Sequence, residues 1–176
     1  MLNMSVKTEL TDLTQVMEKL SSEAFVDKSK MSLFGASQGG VVASLYAASY
    51  PDRVHKLLLI FPAFVLFDDA KETYRELGSP DFDQLPDSLT HHNATLGKIY
   101  LIDALGIDIQ SELAKIAAPT LIIHGTDDAV VPYQYAVQAS QTIPNAELIT
   151  VEGGEHGIDE RFAITAAPAI QKFLKE

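Results

Sequence analysis

A serine stands at the centre of the pentapeptide Gly35-Ala36-Ser37-Gln38-Gly39, where an apolar run gives way to a helix-like run. Glycines on either side of a serine allow a sharp turn from strand to helix that leaves the hydroxyl exposed above a sheet. A serine hydroxyl is a weak nucleophile at neutral pH, so it needs a base to take its proton and a carboxylate to orient that base. The pentapeptide therefore predicts a nucleophile at Ser37.

Candidates for the base and the carboxylate follow two later apolar runs, residues 120–123 and 147–151. If both runs are parallel strands, the polar residues after them emerge at the same edge of the sheet as the serine. We interpret the histidine directly after the first run as a buried, hydrogen-bonded support and the glutamate after the second as a solvated neighbour. These polar residues are His124, Asp127 and Asp128 after the first run, and Glu155 and His156 after the second.

The elements that must position these residues alternate along the chain. Apolar periodicity predicts helices over 6–20, 38–50, 133–142 and 160–175, and short apolar runs predict strands over 30–34, 56–61, 120–123 and 147–151. Such alternation predicts one α/β domain over 1–176, with a mostly parallel sheet flanked by helices. From about 63 to 118 the pattern loosens into short helices and turns, which predicts a small inserted cap.

Composition excludes several classes of function. The net charge is −11, which argues against a nucleic-acid partner, and 47% of the residues are hydrophobic without an apolar stretch of membrane-spanning length. The absence of cysteine removes thiolate catalysis and cysteine-based metal sites. We expect no metal, no cofactor, no membrane contact, His91 and His92 in a solvated loop, and, because the first residues lack a secretory signal, a cytoplasmic protein.

The motifs GASQG, HGTDDAVVP and GGEHG, in this order, resemble the α/β-hydrolase superfamily from about residue 6 to the C-terminus. The resemblance implies that Ser37 is the nucleophile, Asp128 the orienting acid and His156 the general base. Asp127 is the alternative acid, but the family's glycine-to-acid spacing favours Asp128 and leaves Asp127 to cap the turn. The resemblance also implies that the backbone N–H of Gln38 is one oxyanion donor.

A closer resemblance, to bacterial cinnamoyl (feruloyl) esterases, rests on residues 39–44, the Phe-Pro-Ala step at 61–63 and the length of the cap. Those enzymes cleave hydroxycinnamate esters through an acyl-enzyme, and their cap holds the phenolic end of the acyl group. The resemblance implies polar substrate contacts and apolar walls in the cap, although the same side chains could simply solvate or pack it. The polar candidates are Asp69, Glu76 and Tyr100, and the wall candidates are Phe64 and Phe67.

The sequence departs from the superfamily pattern at its N-terminal side. The early strands, and the glycine loop that supplies a second oxyanion donor, have no counterpart, so we expect an N-terminally incomplete domain with four strands. We expect weak ester turnover by this chain alone, and an exposed sheet edge that could pair with another copy. Two alternatives stay open: a hydrolase of different specificity, such as a monoacylglycerol lipase or an aminopeptidase-like enzyme, and a catalytically silent interaction module.

Overall fold

The computed structural model describes residues 2–91 and 94–175. Its strands are β1 (Leu33–Ala36), β2 (Leu57–Ile60), β3 (Ser88–His91), β4 (Ala94–Gly97), β5 (Thr120–Gly125) and β6 (Ala146–Val151). Its helices are α1 (Val6–Ser22), α2 (Gln38–Ser49), α3 (Leu66–Glu76), α4 (Lys98–Leu105), α5 (Ile109–Leu113), α6 (Gln134–Thr142) and α7 (Glu160–Lys175). Short 3₁₀ turns lie at Lys28–Lys30, Pro51–Arg53 and Phe82–Gln84.

Four strands form a parallel sheet in the order β1-β2-β5-β6. At its carboxyl edge the register aligns Ala36 with Ile60, Ile60 with Ile123 and Ile123 with Ile149. The residues that follow β1, β5 and β6 therefore emerge along one edge. This architecture confirms the predicted α/β class with a mostly parallel sheet flanked by helices.

The two central strands are buried on both faces, as their continuous apolar runs predict. On one face, Leu59 and Ile122 belong to a core that includes the side chains of α2 and α6. On the other face, Leu58 and Ile123 pack with Phe162 of α7. Strand β1 lies at the side of the sheet, and its Phe34 is 59% exposed.

Helix α2 is apolar almost all round because it lies between the sheet and α1. Helix α1 is amphipathic, and it begins at a capping box in which the Ser5 side chain accepts from the Thr8 N–H. The buried side of α1 contains Val6 and Met17. None of the helices in the described part of the chain is long and apolar enough to cross a membrane.

Strand β1 begins and ends later than the strand predicted over residues 30–34, so that boundary was wrong. Asp27 accepts hydrogen bonds from the backbone and side chain of Ser29, and this local pairing holds Lys28–Lys30 in a 3₁₀ turn. Pairing of β1 with β2 then extends to Ala36. The strand consequently delivers the chain directly into Ser37.

The segment between β2 and β5, predicted as a cap, contains α3, α4, α5 and an antiparallel pair of strands. The pairing of β3 with β4 places Leu89 opposite Leu96, whereas the sequence predicted only helices and turns there. The backbone of His91 ends β3 instead of lying in a loop; the side chain of His91 and all of His92 lie outside the described residues. Each of these strands contains a single large apolar residue, a leucine, which gives too little apolar periodicity to predict a strand.

Candidate active site

Ser37 occupies a sharp turn between β1 and α2. Its φ of 52° and ψ of −126° are unusual for a residue with a side chain. Three backbone hydrogen bonds hold the turn: the Ser37 N–H donates to the Ile60 carbonyl at 3.0 Å, and the Ser37 carbonyl accepts from Gly40 and Ala63, each at 3.0 Å. Strain of this kind persists where the surroundings determine it, and here it sets the hydroxyl above the sheet edge.

Close packing at this turn requires Gly35 and Gly40, but not Gly39. A Cβ on Gly35 would lie 2.7 Å from the Gly40 Cα, and a Cβ on Gly40 would lie 2.9 Å from the Pro62 Cβ. A Cβ on Gly39 would meet no atom of the described residues within 4 Å. The interpretation that both flanking glycines of the pentapeptide serve the turn is therefore corrected, because the helix presents Gly40 to the strand side and Gly39 to the outside.

A second pair of glycines brings the turns after β5 and β6 together. A Cβ on Gly125 would lie 2.8 Å from the Gly154 Cα, so the two backbones cross in near contact. The Asp127 N–H donates to the Gly154 carbonyl at 3.0 Å. The turn that contains Asp128 is thus fixed beside the turn that contains His156.

Ser37, His156 and Asp128 form a continuous hydrogen-bonded chain. The His156 Nε2 lies 3.1 Å from the Ser37 Oγ, and the His156 Nδ1 lies 2.8 Å from an Asp128 carboxylate oxygen. A carboxylate only accepts, so the proton of the neutral ring lies on Nδ1 and the Nε2 lone pair faces the serine hydroxyl. This arrangement can take the serine proton and stabilise the imidazolium that results.

The Asp128 side chain is fully buried, and backbone and imidazole groups compensate its charge. Its Oδ1 accepts from the N–H groups of Val130 and Val131 at 2.9 and 2.8 Å. Charge-assisted bonds of this kind make a buried carboxylate tolerable and hold it in one orientation. Asp127 is exposed and accepts from the Thr126 hydroxyl at 3.1 Å, so it is Asp128 that the structure brings to His156.

His124 is a buried neutral support for this carboxylate. Its Nε2 donates to the Val131 carbonyl at 2.8 Å and lies 3.3 Å from the Asp128 carboxylate. Its Nδ1 is buried and has no hydrogen-bond partner among the described residues. Burial lowers the pKa of His124, because an imidazolium would need a partner at Nδ1. Glu155, the other neighbour considered in the sequence, is exposed.

Phe61 contacts His156 and was not singled out as a site residue from the sequence. The two rings are 4.4 Å apart between centroids, and Phe162 packs against the edge of Phe61 at 5.8 Å. Phe61 has a φ of 34°, unusual for a bulky residue. The Phe61 ring covers one side of the imidazole, and only 20% of the His156 side chain is exposed. The sequence signal was the abrupt end of the apolar run at Pro62, which a periodicity analysis assigns only to strand termination.

A cavity of about 620 Å³, which we call the Ser37 cavity, opens beside the serine. Two polar candidates from the sequence, Asp69 and Tyr100, line it. Burial and, to a lesser extent, the carboxylates of Glu9 and Asp69 raise the pKa of Tyr100 to about 12, so its hydroxyl stays protonated. The apolar lining includes Leu66, Leu89, Leu96, Leu101, Val130 and Pro132.

Three other cap candidates lie elsewhere. Glu76 is exposed and is the last residue of α3, beyond the part of the helix that lines the Ser37 cavity. Phe64 and Phe67 are buried and line a separate crevice that includes Lys71 and Tyr135. Their placement as cavity walls is corrected: one face of α3 presents Leu66, Asp69 and Thr73 to the Ser37 cavity, and Phe67 falls on another face of the same helix.

Gln38 is the first residue of α2, and both its backbone N–H and its side chain lie at the candidate site. Its N–H belongs to the first turn, where no carbonyl four residues earlier is available within the helix. Its side chain contacts Tyr100 and Glu9. The backbone donor is therefore available to a developing negative charge beside Ser37.

The chain matches a protein-family model and is similar to several curated proteins. The model of the prolyl oligopeptidase family matches residues 4–176. Non-heme chloroperoxidase CPO-A1 of Kitasatospora aureofaciens is 47% identical over 64 residues, which cover 35% of this chain and 23% of that protein. Poly(3-hydroxyalkanoate) depolymerase of Ectopseudomonas oleovorans is 27% identical over 180 residues, which cover 86% of this chain and 63% of that protein.

Among solved structures, that of ferulic acid bound to Est1E from Butyrivibrio proteoclasticus is similar to the whole chain. The TM-score is 0.83 and the identity 27%, over 99% of this chain and 71% of that chain. The chain spans less than two thirds of the length of both curated relatives above.

Proposed function

Because the chain belongs to the prolyl oligopeptidase family of α/β-hydrolase serine hydrolases, we propose that it hydrolyses carboxylic esters through an acyl-enzyme on Ser37, with hydroxycinnamate esters as substrates. The observation that carries the proposal is the chain of hydrogen bonds from Ser37 through His156 to Asp128, which ends at an apolar cavity with polar groups in its cap. No metal or cofactor takes part in the proposed reaction.

In the acylation half of the proposed reaction, His156 Nε2 takes the proton of the Ser37 hydroxyl as its oxygen attacks the ester carbonyl carbon. The carbonyl oxygen becomes an oxyanion and accepts from the Gln38 N–H. The imidazolium forms a charged hydrogen bond to Asp128. Collapse of the tetrahedral intermediate breaks the bond to the alcohol oxygen, which leaves with the proton from His156.

In the deacylation half, water replaces the alcohol. His156 takes a proton from this water as the water oxygen attacks the acyl carbon, and it returns the proton to the Ser37 oxygen as the acyl-enzyme bond breaks. The products are the free acid, the alcohol and the regenerated serine. The packing of Phe61 on the imidazole supports this role, since the ring must keep one plane through both halves.

The shape and lining of the Ser37 cavity support an aromatic acyl group with a polar end. A volume of about 620 Å³ with a largely aliphatic lining accommodates a planar ring. Asp69 and Tyr100 supply polar contacts within that lining. Est1E, to which the chain is similar throughout, has been solved with ferulic acid bound. The small-molecule partner that we propose is therefore an ester of a ring-hydroxylated cinnamic acid.

A fluorophosphonate probe and an ester panel test this proposal. The probe is expected to label the folded protein and Ser49→Ala, a change at an exposed serine of the same helix, but not Ser37→Ala. Hydrolysis is then compared for ethyl ferulate, p-nitrophenyl acetate, a monoacylglycerol and a prolyl p-nitroanilide. The highest kcat/KM is expected for ethyl ferulate.

The other outcomes of these two assays distinguish a hydrolase of different specificity from a silent interaction module. Labelling with preference for p-nitrophenyl acetate, the monoacylglycerol or the anilide would leave the serine hydrolase in place and refute the hydroxycinnamate specificity. A folded protein without label at Ser37 would refute the catalytic proposal and favour a silent interaction module.

A further inference from the structure

We infer that Glu9 and Gln38 fix the hydrogen-bond polarity of the Ser37 cavity, so that Tyr100 presents an acceptor and the cavity selects acyl rings that carry a hydroxyl donor over their methyl ethers. The choice of ligand class rests on the proposed function. The polarity itself rests on a three-residue chain that connects α1, α2 and the cap helix α4. Glu9 lies outside the lining of the cavity, so the inference assigns specificity to a residue that touches no substrate.

The orientation of the Gln38 amide follows from its partner on α1. The Gln38 Nε2 lies 2.7 Å from a Glu9 carboxylate oxygen. A carboxylate accepts and does not donate, so the NH₂ end of the amide must face Glu9. The carbonyl end, Oε1, is left facing the cap.

The orientation of the Tyr100 hydroxyl follows in turn. The Tyr100 oxygen lies 2.8 Å from the Gln38 Oε1, which accepts only, so the phenol donates its single proton to it. The remaining capacity of the Tyr100 oxygen is its lone pairs, and Tyr100 lines the cavity. A phenol held in its neutral form by burial and two carboxylates keeps this role at neutral pH.

The Tyr100 oxygen therefore offers the ligand a hydrogen-bond acceptor. The carboxylate of Asp69, which also lines the cavity, is an acceptor by its chemistry. A ring hydroxyl satisfies such a site, whereas a methyl ether at the same position offers a further acceptor and leaves the Tyr100 lone pairs unmatched. An unmatched group of this kind lowers affinity more than a matched one raises it.

The test reverses the charge at Glu9 in a Ser37→Ala background and measures binding calorimetrically, so that turnover is not needed. The ligand pair is ethyl ferulate and ethyl 3,4-dimethoxycinnamate, which differ by one methyl group. The Ser37→Ala parent is expected to prefer the hydroxyl compound about three- to tenfold, as one neutral hydrogen bond predicts. With Glu9→Lys, the ammonium donates to the Gln38 carbonyl, the amide turns, and the preference is expected to fall to about one or to reverse.

Asp12→Lys is the matched control, because Asp12 is exposed one turn further along α1 and makes the same charge change. It should keep the preference of the parent. An unchanged preference in a folded Glu9→Lys protein, or an equal loss with Asp12→Lys, would overturn the inference.

The relative affinities of p-cresol and 4-methylanisole test the same hydrogen-bond polarity with ligands that contain no ester. If p-cresol is preferred and ethyl ferulate does not bind, the proposed substrate class fails and the polarity stands; if p-cresol is not preferred, the polarity is refuted.

Discussion

The contrast between Gly35 and Gly39 tests the strand-to-helix turn that presents Ser37. In Gly35→Ala, the three atoms nearest the new methyl group are all backbone: the carbonyl oxygen of Gly39, its carbonyl carbon at 2.8 Å and the Gly40 Cα at 2.7 Å. Ordinary contact begins at 3.4 Å. These backbone atoms cannot turn aside as a flexible side chain can, so α2 must move from β1 by more than half an ångström, as the shortfall at these atoms shows.

The expected cost follows from that displacement. Overpacking against rigid neighbours typically costs 1–3 kcal/mol, and contact with backbone alone puts Gly35→Ala at the upper end, at about 3 kcal/mol. The new methyl group of Gly39→Ala meets no atom within 4 Å in the part of the chain that the structure describes. Because the change also replaces a helical glycine, it is expected to stabilise the protein by up to about 1 kcal/mol. For a chain of this size the melting temperatures of the two variants should differ by about 8–16 °C.

The same displacement should lower the reactivity of Ser37. A shift of α2 changes the distance between Ser37 Oγ and His156 Nε2, now 3.1 Å, and a misplacement of about 1 Å costs about 100-fold in rate. Circular dichroism against urea and temperature gives the stabilities, and the rate of fluorophosphonate labelling gives the reactivity. Equal midpoints for the two variants, or faster labelling of Gly35→Ala than of Gly39→Ala, would refute the reasoning.

Three further predictions concern the site and its support. Asp128→Asn should lower kcat about 10³- to 10⁴-fold without unfolding the protein. The backbone N–H groups that now donate to Asp128 Oδ1 would hold the amide oxygen and turn the amide NH₂ toward His156, which reverses the tautomer of the imidazole. Asp127→Asn should retain activity, and equal losses in the two variants would contradict the assignment of Asp128. Burial lowers the pKa of His124, so the unfolded chain binds a proton that the folded protein does not, and the stabilising contribution is lost as pH falls below the unfolded value of about 6.5. Urea midpoints at pH 7.5 and pH 5 should therefore differ less in His124→Gln than in the parent, and an equal difference would exclude this group. Asp69→Asn should raise KM for ethyl ferulate severalfold while Glu76→Gln leaves it unchanged, since only the first side chain lines the Ser37 cavity; a larger effect at Glu76 would reverse that choice.

Several features followed from the sequence because local spacing encodes them. Helix α2, beginning at Gln38, and the buried strand β5 were predicted within two residues of their bounds, since one is apolar at helical spacing and the other begins as a continuous apolar run. The sequence ended that strand before His124, whereas the structure continues it through His124 to Gly125. The order of Ser37, Asp128 and His156 at three strand ends predicted that they would meet, because the carboxyl ends of parallel strands share an edge. The similarity to α/β-hydrolases, first inferred from three motifs, is confirmed by the family match.

Other features depend on which atoms meet across the fold, and spacing along the chain does not carry that information. The need for Gly40 in place of Gly39 depends on the rotation of α2 against Pro62. The packing of Phe61 on His156, and the contact of Glu9 with Gln38, join residues that are 95 and 29 positions apart. The sequence by itself determined the class of fold and the chemical groups at the sheet edge. Only the tertiary structure decided their hydrogen-bond directions, because donor and acceptor roles are set by partners that arrive from other elements.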